Sequence, residues 1–212
     1  MTHSFDKDYW EQHWDEAPET APSAPAENRA NPYVQRIARR LSPGTALDAG
    51  CGTGAEAREL AARGWNVLGA DISSTALAAA AAQTSEQDLA GTVTWREADL
   101  ASWEPGRRFD LVMTNYAHPA MPQLEFYRRI MNWVAPGGTL LIVGHAHDPE
   151  ARTAHGHQPP AEATVTAADV AALLDPAEWT ILSADTQSRT VTAPDGRTVT
   201  LPDVVVLATR RS

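Results

Sequence analysis

Along most of the chain the apolar positions switch between two periods, one that suits a helix and one that suits a strand. Residues 33–41, YVQRIARRL, carry apolar side chains at 34, 37, 38 and 41, one face of a helix, and Pro43-Gly44 closes it. TALDAG (45–50) predicts a strand, and AEARELAARG (55–64) a helix with Gly64 placed to cap its C-terminus. WNVLGAD (65–71) predicts a second strand, and SSTALAAAAAQT (73–84) a helix with Ser73 or Ser74 as its N-cap. TVTWREA (92–98) and FDLVMTN (109–115) predict the third and fourth strands. MPQLEFYRRIMNWV (121–134) places apolar residues at 124, 127, 130, 131 and 134, an amphipathic helix. After the turn APGG, TLLIVGH (139–145) predicts a fifth strand, and its unbroken LLIV run suits burial on both faces.

Strands alternating with helices imply βαβ units and a parallel sheet. The end of the chain breaks that rhythm. After a short helix, TAADVAALLD, come two strands, EWTILSAD and TVTLPDVVVLAT, with no helix between them. Asp195-Gly196 near their junction signals a hairpin, and VVVLA suggests an interior last strand. The expected fold is α/β: a Rossmann-like, seven-stranded, mostly parallel sheet with an antiparallel C-terminal hairpin and helices on both faces.

Residues 1–31 stand apart from this pattern, and the main domain is expected over 32–212. FDKDYWEQHWDE (5–16) is acidic and aromatic and could form a short helix; Pro18, Pro22 and Pro25 then interrupt any helix, as in a flexible link. Tyr9, Trp10 and Trp14 fit either a helix docked on the core or a lid over a binding site.

Composition narrows the partners. The 212 residues are 43% hydrophobic and 21% charged, in the globular range, with no apolar run long enough for a bilayer. The first residues lack the basic and apolar regions of a signal peptide, and Cys51 is the only cysteine, so a cytoplasmic location is expected. A net charge of −10, with Lys7 the one lysine, argues against nucleic acid and anionic membranes as main partners.

The chemistry concentrates after the first strand, where Gly50, Gly52 and Gly54 form G-x-G-x-G. A glycine-rich turn between a strand and a helix puts free backbone N–H groups at the C-terminal edge of the sheet, where ligands of open α/β sheets bind. Asp71 closes the second strand about twenty residues later, the distance at which an acid reaches ribose hydroxyls. Dinucleotide folds use G-x-G-x-x-G around a pyrophosphate, whereas here the spacing is tighter and Glu56 and Glu59 enter the next helix. Carboxylates disfavour a phosphate and tolerate a ligand carrying an ammonium and a sulfonium.

From these residues the sequence resembles the class I S-adenosylmethionine-dependent methyltransferases over roughly 33–212. LDAGCGTG, VLGADIS, READL, FDLVMTNYAHP and APGGTLLIV resemble that family's five motifs in order, and the helix-free ending resembles its antiparallel seventh strand. The resemblance implies S-adenosyl-L-methionine as cofactor, with Asp48, Gly50, Cys51, Gly52 and Gly54 lining its methionine half. Asp71 would hold the ribose hydroxyls, with Ile72 against the adenine; Asp99 would accept from the adenine amino group, with Leu100 on the ring. Asn115 and Tyr116 would border the sulfonium and the methyl acceptor. Cys51 is most simply a small residue that fits the turn.

Methyl transfer from a sulfonium mainly needs alignment and exclusion of water. A general base can help a protic acceptor, and His118, after the fourth strand, and His145, ending the fifth, are expected at the sheet's C-terminal edge. The expected catalytic residues are therefore His118, Tyr116 and His145. His147, His155 and His157 repeat an H-x-H spacing that could suit a metal, but a solvated loop is the expected reading, with no metal. NYAHP differs from the N/D-P-P-aromatic motif of nucleic-acid amino-methyltransferases, so the expected substrate is a small molecule. Two rivals are a nicotinamide-dependent oxidoreductase and a non-catalytic cofactor-binding partner.

Overall fold

A computed structural model describes residues 4–16, 29–146, 164–192 and 198–212. The elements in chain order are α1 (Lys7–Asp15), α2 (Pro32–Ala38), β1 (Thr45–Ala49), α3 (Ala55–Ala62), β2 (Asn66–Asp71), α4 (Ser74–Ser85), β3 (Thr92–Glu97) and β4 (Phe109–Asn115). They continue with α5 (Gln123–Met131), β5 (Val134–Ala146), β6 (Thr164–Val165), α6 (Ala167–Ala171), β7 (Trp179–Thr192) and β8 (Thr198–Arg210). The sheet runs β3-β2-β1-β4-β5-β8-β7, with β6 paired to the end of β5. β1 to β5 are parallel, and β8 runs antiparallel to β5 on one side and β7 on the other.

The expected sheet is present with one addition. β6 pairs Thr164 and Val165 with His145 and Ala146, an eighth strand too short to leave an alternating pattern. β8 is interior, as its VVVLA run suggests: Val204, Val205 and Val206 are buried from both faces. The Asp195-Gly196 pair lies outside the described residues, while Thr192 and Thr198 beside it are paired.

Two apolar layers cover the sheet. On one face α2 and α3 bury Val34, Ile37, Leu60 and Ala61 against alternate residues of β1, β4 and β5. On the other, α5 and α6 bury Phe126, Ile130 and Val170 against the remaining alternate residues. Leu140 and Ile142 face one layer and Leu141 and Val143 the other, which is why the LLIV run contains no polar residue.

Three local expectations shift and a fourth, the cap of α4, is narrowed to one of its two candidates. The fifth helix starts at Gln123, because Pro122 occupies the N-cap with extended backbone, and its buried stripe is Gln123, Phe126, Tyr127, Ile130 and Met131. Val134 opens β5 instead of ending that helix, and the APGG segment is a bulge inside β5, where pairing with β4 jumps from Phe109–Val134 to Leu111–Thr139. Ser73 is the N-cap of α4, its hydroxyl accepting from the Ala76 amide.

Gly54, the left-handed residue before α3, has φ +78°, and a Cβ there would lie 2.2 Å from Cη2 of Trp95 on β3. Its missing side chain thus serves core packing. Gly106 has φ +70° with nothing within 4 Å of its Cβ position. Gly106→Ala should therefore cost about 1–2 kcal/mol from backbone conformation alone. Gly54→Ala should cost about 1–3 kcal/mol more from overpacking, a further drop of several degrees in melting temperature. Equal melting temperatures for the two variants would show that Trp95 yields freely.

Candidate functional site

Because β1 to β5 are parallel, all their C-terminal ends meet at one edge of the sheet. There the turn after β1, Asp71-Ile72 after β2, Asp99-Leu100 after β3, Asn115–His118 after β4 and His145 on β5 wall a cavity of about 520 Å³. Phe5 and helix α1 supply most of the remaining wall, with Arg29, Ala55, Glu56 and Pro119 completing it. Eleven of the thirteen residues expected at the site line this cavity; Asp48 and Gly54 lie behind it.

The turn is held open by its own backbone. Gly50 and Gly52 have φ of +80° and +49°, left-handed values that favour glycine. The amides of Gly50 and Cys51 donate to the Ala70 carbonyl at 2.8 and 3.1 Å, and that of Gly52 donates to the Asp71 carboxylate at 2.8 Å. Arg58 of α3 donates to the Thr53 carbonyl at 2.6 Å. A Cβ on Gly50 would sit 2.2 Å from that of Ala117, and one on Gly52 would sit 2.9 Å from the Trp14 indole. The bare backbone at these two positions thus meets the β4 loop and the N-terminal helix.

Carboxylates gather around this turn. Asp48 is fully buried, one of its oxygens has no partner among the described residues, and burial, then Glu56 and Asp71, push its pKa well above its usual value. Burial also raises Glu56 and Asp71, although backbone amides at Ser73 and Gly52 bond the Asp71 carboxylate and oppose the shift. Glu59 faces away and pairs with Arg63 at 2.7 Å. The Cys51 thiol is buried and its pKa raised, first by burial, which keeps it protonated and unreactive.

The β4 loop forms the other end. Tyr116 adopts φ +55°, rare for a non-glycine residue, and its hydroxyl accepts from Arg189 at 2.9 Å and from Asn31 at 3.3 Å. Arg189 also pairs with buried Asp203 at 2.9 Å, and the Tyr33 hydroxyl donates to that carboxylate at 3.2 Å. His118 is buried, with Nδ1 3.0 Å from the Gln123 side-chain oxygen and no partner for Nε2 among the described residues. The His145 ring lies 4.7 Å from that of Tyr116 and 5.5 Å from that of His118. Burial lowers the pKa of His118, and burial, then His118 and Arg189, bring His145 down to about 3.

Helix α1 closes the cavity through polar contacts. Glu11 caps α4, accepting from the Ser73 hydroxyl, the Ser74 amide and hydroxyl and the Thr75 amide at 2.7 to 3.1 Å. Although burial opposes ionisation, bonds from Ser74, Thr75 and Ser73 carry Glu11 down to about 2. The Trp10 indole donates to the His118 carbonyl at 3.1 Å, and Lys7 pairs with Glu97. Glu11, Asn31, Gln123, Arg189 and Asp203 were not among the expected site residues. Two left a trace: Gln123 is polar on the apolar face of a helix, and Asp203 is charged beside an apolar strand run. His147, His155 and His157 lie outside the described residues.

Residues 46–138 match the methyltransferase domain family. A trans-aconitate 2-methyltransferase of Streptomyces avermitilis is 33% identical over 125 residues, 54% of this chain and 45% of the relative. A ribosomal RNA small subunit methyltransferase C of Alcanivorax borkumensis is 32% identical over 113 residues, 50% of this chain and 34% of the relative. The chain spans less than half the length of either. Among solved structures, one from work on converting a disulfide bond into a thioacetal group during echinomycin biosynthesis superposes with a TM-score of 0.71 at 21% identity, over 97% of this chain and 92% of that one. The N-methyltransferase NodS from Bradyrhizobium japonicum, solved with S-adenosyl-L-homocysteine, gives 0.64 at 18% identity over 95% and 97%. At these identities the likeness is one of fold.

Two measurements test the electrostatics. His145 titrates near its usual 6.5 when unfolded and about 3 when folded, so its contribution to stability is complete above pH 6.5 and lost as pH falls toward 3. His145→Gln should therefore flatten the decline of melting temperature between pH 7 and 4.5; an unaltered slope would place the imidazole in water. Glu11→Ala should raise hydrogen exchange at the α1 amides at least about tenfold while β1 and β4 stay protected, since α1 opens locally once its cap is gone. Unchanged α1 protection would show that the aromatic contacts suffice.

Proposed function

We propose that this chain, which belongs to the class I S-adenosylmethionine-dependent methyltransferases, transfers a methyl group to a small-molecule acceptor held between α1 and the β4 loop. The observation that carries this reading is one cavity joining a glycine turn ringed by carboxylates to a dry, aromatic β4 loop.

The residues present fit the cofactor of that family. The carboxylates of Asp48, Glu56 and Asp71 favour a cationic ligand at the turn and repel the pyrophosphate of a nicotinamide dinucleotide. Both side-chain polar atoms of Asn115 are buried on the cavity wall without a partner among the described residues, unmet groups that a polar ligand satisfies. In this reading the turn from Gly50 to Gly54 and Asp48 hold the amino-acid end, Asp71 the ribose diol with Ile72 beside the base, and Asp99 and Leu100 the adenine. Asn115, Tyr116, His118 and His145 surround the acceptor. S-adenosylmethionine supplies a methyl group on a good leaving group; the chain supplies alignment and exclusion of water.

Two features support a small acceptor. A cavity of about 520 Å³ suits one drug-sized ligand, yet must house cofactor and acceptor together. Helix α1, which acts as a lid in this reading, covers the approach a nucleic-acid strand would need, and the net charge of −10 disfavours one. Among the described residues no helix is long and apolar enough to cross a membrane, and the proposed location is the cytoplasm.

The test is transfer of labelled methyl from S-adenosylmethionine to a metabolite extract, with calorimetry against S-adenosylhomocysteine and NAD. S-adenosylhomocysteine should bind and NAD should not, and Asp71→Ala should weaken that binding by about 2–3 kcal/mol through lost charge-assisted hydrogen bonds. NAD binding, or label appearing only in RNA, would overturn the reading.

A further inference from the structure

Gln123 opens α5 on its buried face, an unusual place for an amide. Its side-chain nitrogen donates to the Ala117 carbonyl at 3.0 Å, and its oxygen lies 3.0 Å from Nδ1 of His118. The Ala117 carbonyl can only accept, so the amide cannot be reversed without setting two acceptors against each other. The oxygen therefore faces His118, and Nδ1 must carry the proton. A neutral imidazole protonated at Nδ1 has a bare lone pair at Nε2. That atom is buried and unpartnered among the described residues, on a residue that walls the cavity and whose ring centroid lies 5.6 and 5.5 Å from those of Phe5 and His145.

We infer that Gln123 is a positioning residue that fixes His118 as a hydrogen-bond acceptor at Nε2, and that the methyl acceptor is accordingly a molecule presenting an O–H or N–H there. The acceptor half of the inference rests on the methyl-transfer reading; the tautomer does not. A carboxylate, thiolate or halide would set an anion against a lone pair in a dry site and leave Nε2 unmet. An alcohol, phenol or nitrogen acceptor satisfies it. In the step, the X–H bond breaks with its proton passing to Nε2, the freed pair bonds the methyl carbon, and the carbon–sulfur pair leaves with sulfur. The positive charge lost at sulfur reappears on the imidazole, so the site's net charge is unchanged.

The experiment is a long-range proton–nitrogen NMR spectrum of the full chain, free of ligand and labelled at histidine nitrogens. His118 should show the pattern of a proton on Nδ1. Gln123→Met should shift it to the Nε2–H form or a mixture, leave S-adenosylhomocysteine affinity within about twofold, and lower turnover at least tenfold, within the ~10²–10⁴-fold worth of a positioned base. Gln123→Glu, whose protonated carboxyl can donate to the Ala117 carbonyl and still accept from Nδ1, should keep the wild-type pattern. An Nε2–H tautomer in the wild type overturns the inference, and so does Gln123→Met with unchanged tautomer and rate. If the methionine variant fails to fold, the wild-type spectrum alone decides the tautomer. Turnover confined to carboxylate, thiol or halide acceptors overturns the acceptor class. With the Nδ1–H pattern present, absence of transfer to any acceptor would sink the methyl-transfer reading and the acceptor class, while supporting the assignment to Gln123.

Discussion

The Asp71 carboxylate accepts the Gly52 amide at 2.8 Å, and through that bond the end of β2 holds the turn that follows β1. Its other oxygen accepts from the Ser73 amide at 3.0 Å, so the same side chain also sets where α4 begins. Ser73 caps α4, and Glu11 of α1 in turn bonds the Ser73 hydroxyl. One buried acid thereby links the turn, a helix start and the N-terminal arm. Removing it would leave the Gly52 and Ser73 amides without acceptors in a dry place, a cost of about 1–3 kcal/mol for each unmet group. The site's shape and the local fold are hard to separate here.

The two ends of the cavity differ in charge for physical reasons. At the turn, burial raises Asp48, Glu56 and Asp71, and the latter two raise Asp48 further, so a cationic ligand relieves what burial imposes. At the β4 loop the same burial keeps His118 and His145 neutral, and the half-buried Arg189 cation beside them is balanced by Asp203. Backbone strain sits at the boundary. Tyr116 holds a left-handed conformation of a kind that costs about 1–3 kcal/mol and persists only when surroundings dictate it. Here they do: its amide bonds the Val143 carbonyl at 2.9 Å, and its hydroxyl meets Arg189 and Asn31.

The parallel strands, the antiparallel ending and most of the cavity wall were legible because each depends on a local signal. LLIV reads as buried on two faces, and closely spaced glycines after a strand read as a ligand turn. What sequence could not give was contact between distant residues. Gly54 looks like Gly50 and Gly52 in the motif, yet it meets Trp95 of β3, so identical residues answer to different neighbours. Arg189 reaches Tyr116 only because β7 is placed by β8. Glu11 caps a helix more than sixty positions away, a pairing with no periodicity behind it. β6 is two residues long, below the length at which alternation can be seen.

The attachment of α1 follows from its composition. Its nine residues bury no side chain fully, and a helix that short is not stable alone in water. It is held by the Glu11 cap, the Lys7–Glu97 pair and the Trp10 bond to His118, while the edge-to-face rings from Tyr9 to Trp14 stack along the helix itself. Each polar bond is worth about 1 kcal/mol net, and the exposed ion pair less. Their sum sits well below the stability of the sheet, whose strands bury apolar residues on both faces. A wall joined this weakly to a rigid body can leave and return without disturbing the core. In the proposed methyl transfer the cavity admits two ligands and then excludes water, and α1 is the wall proposed to open for them.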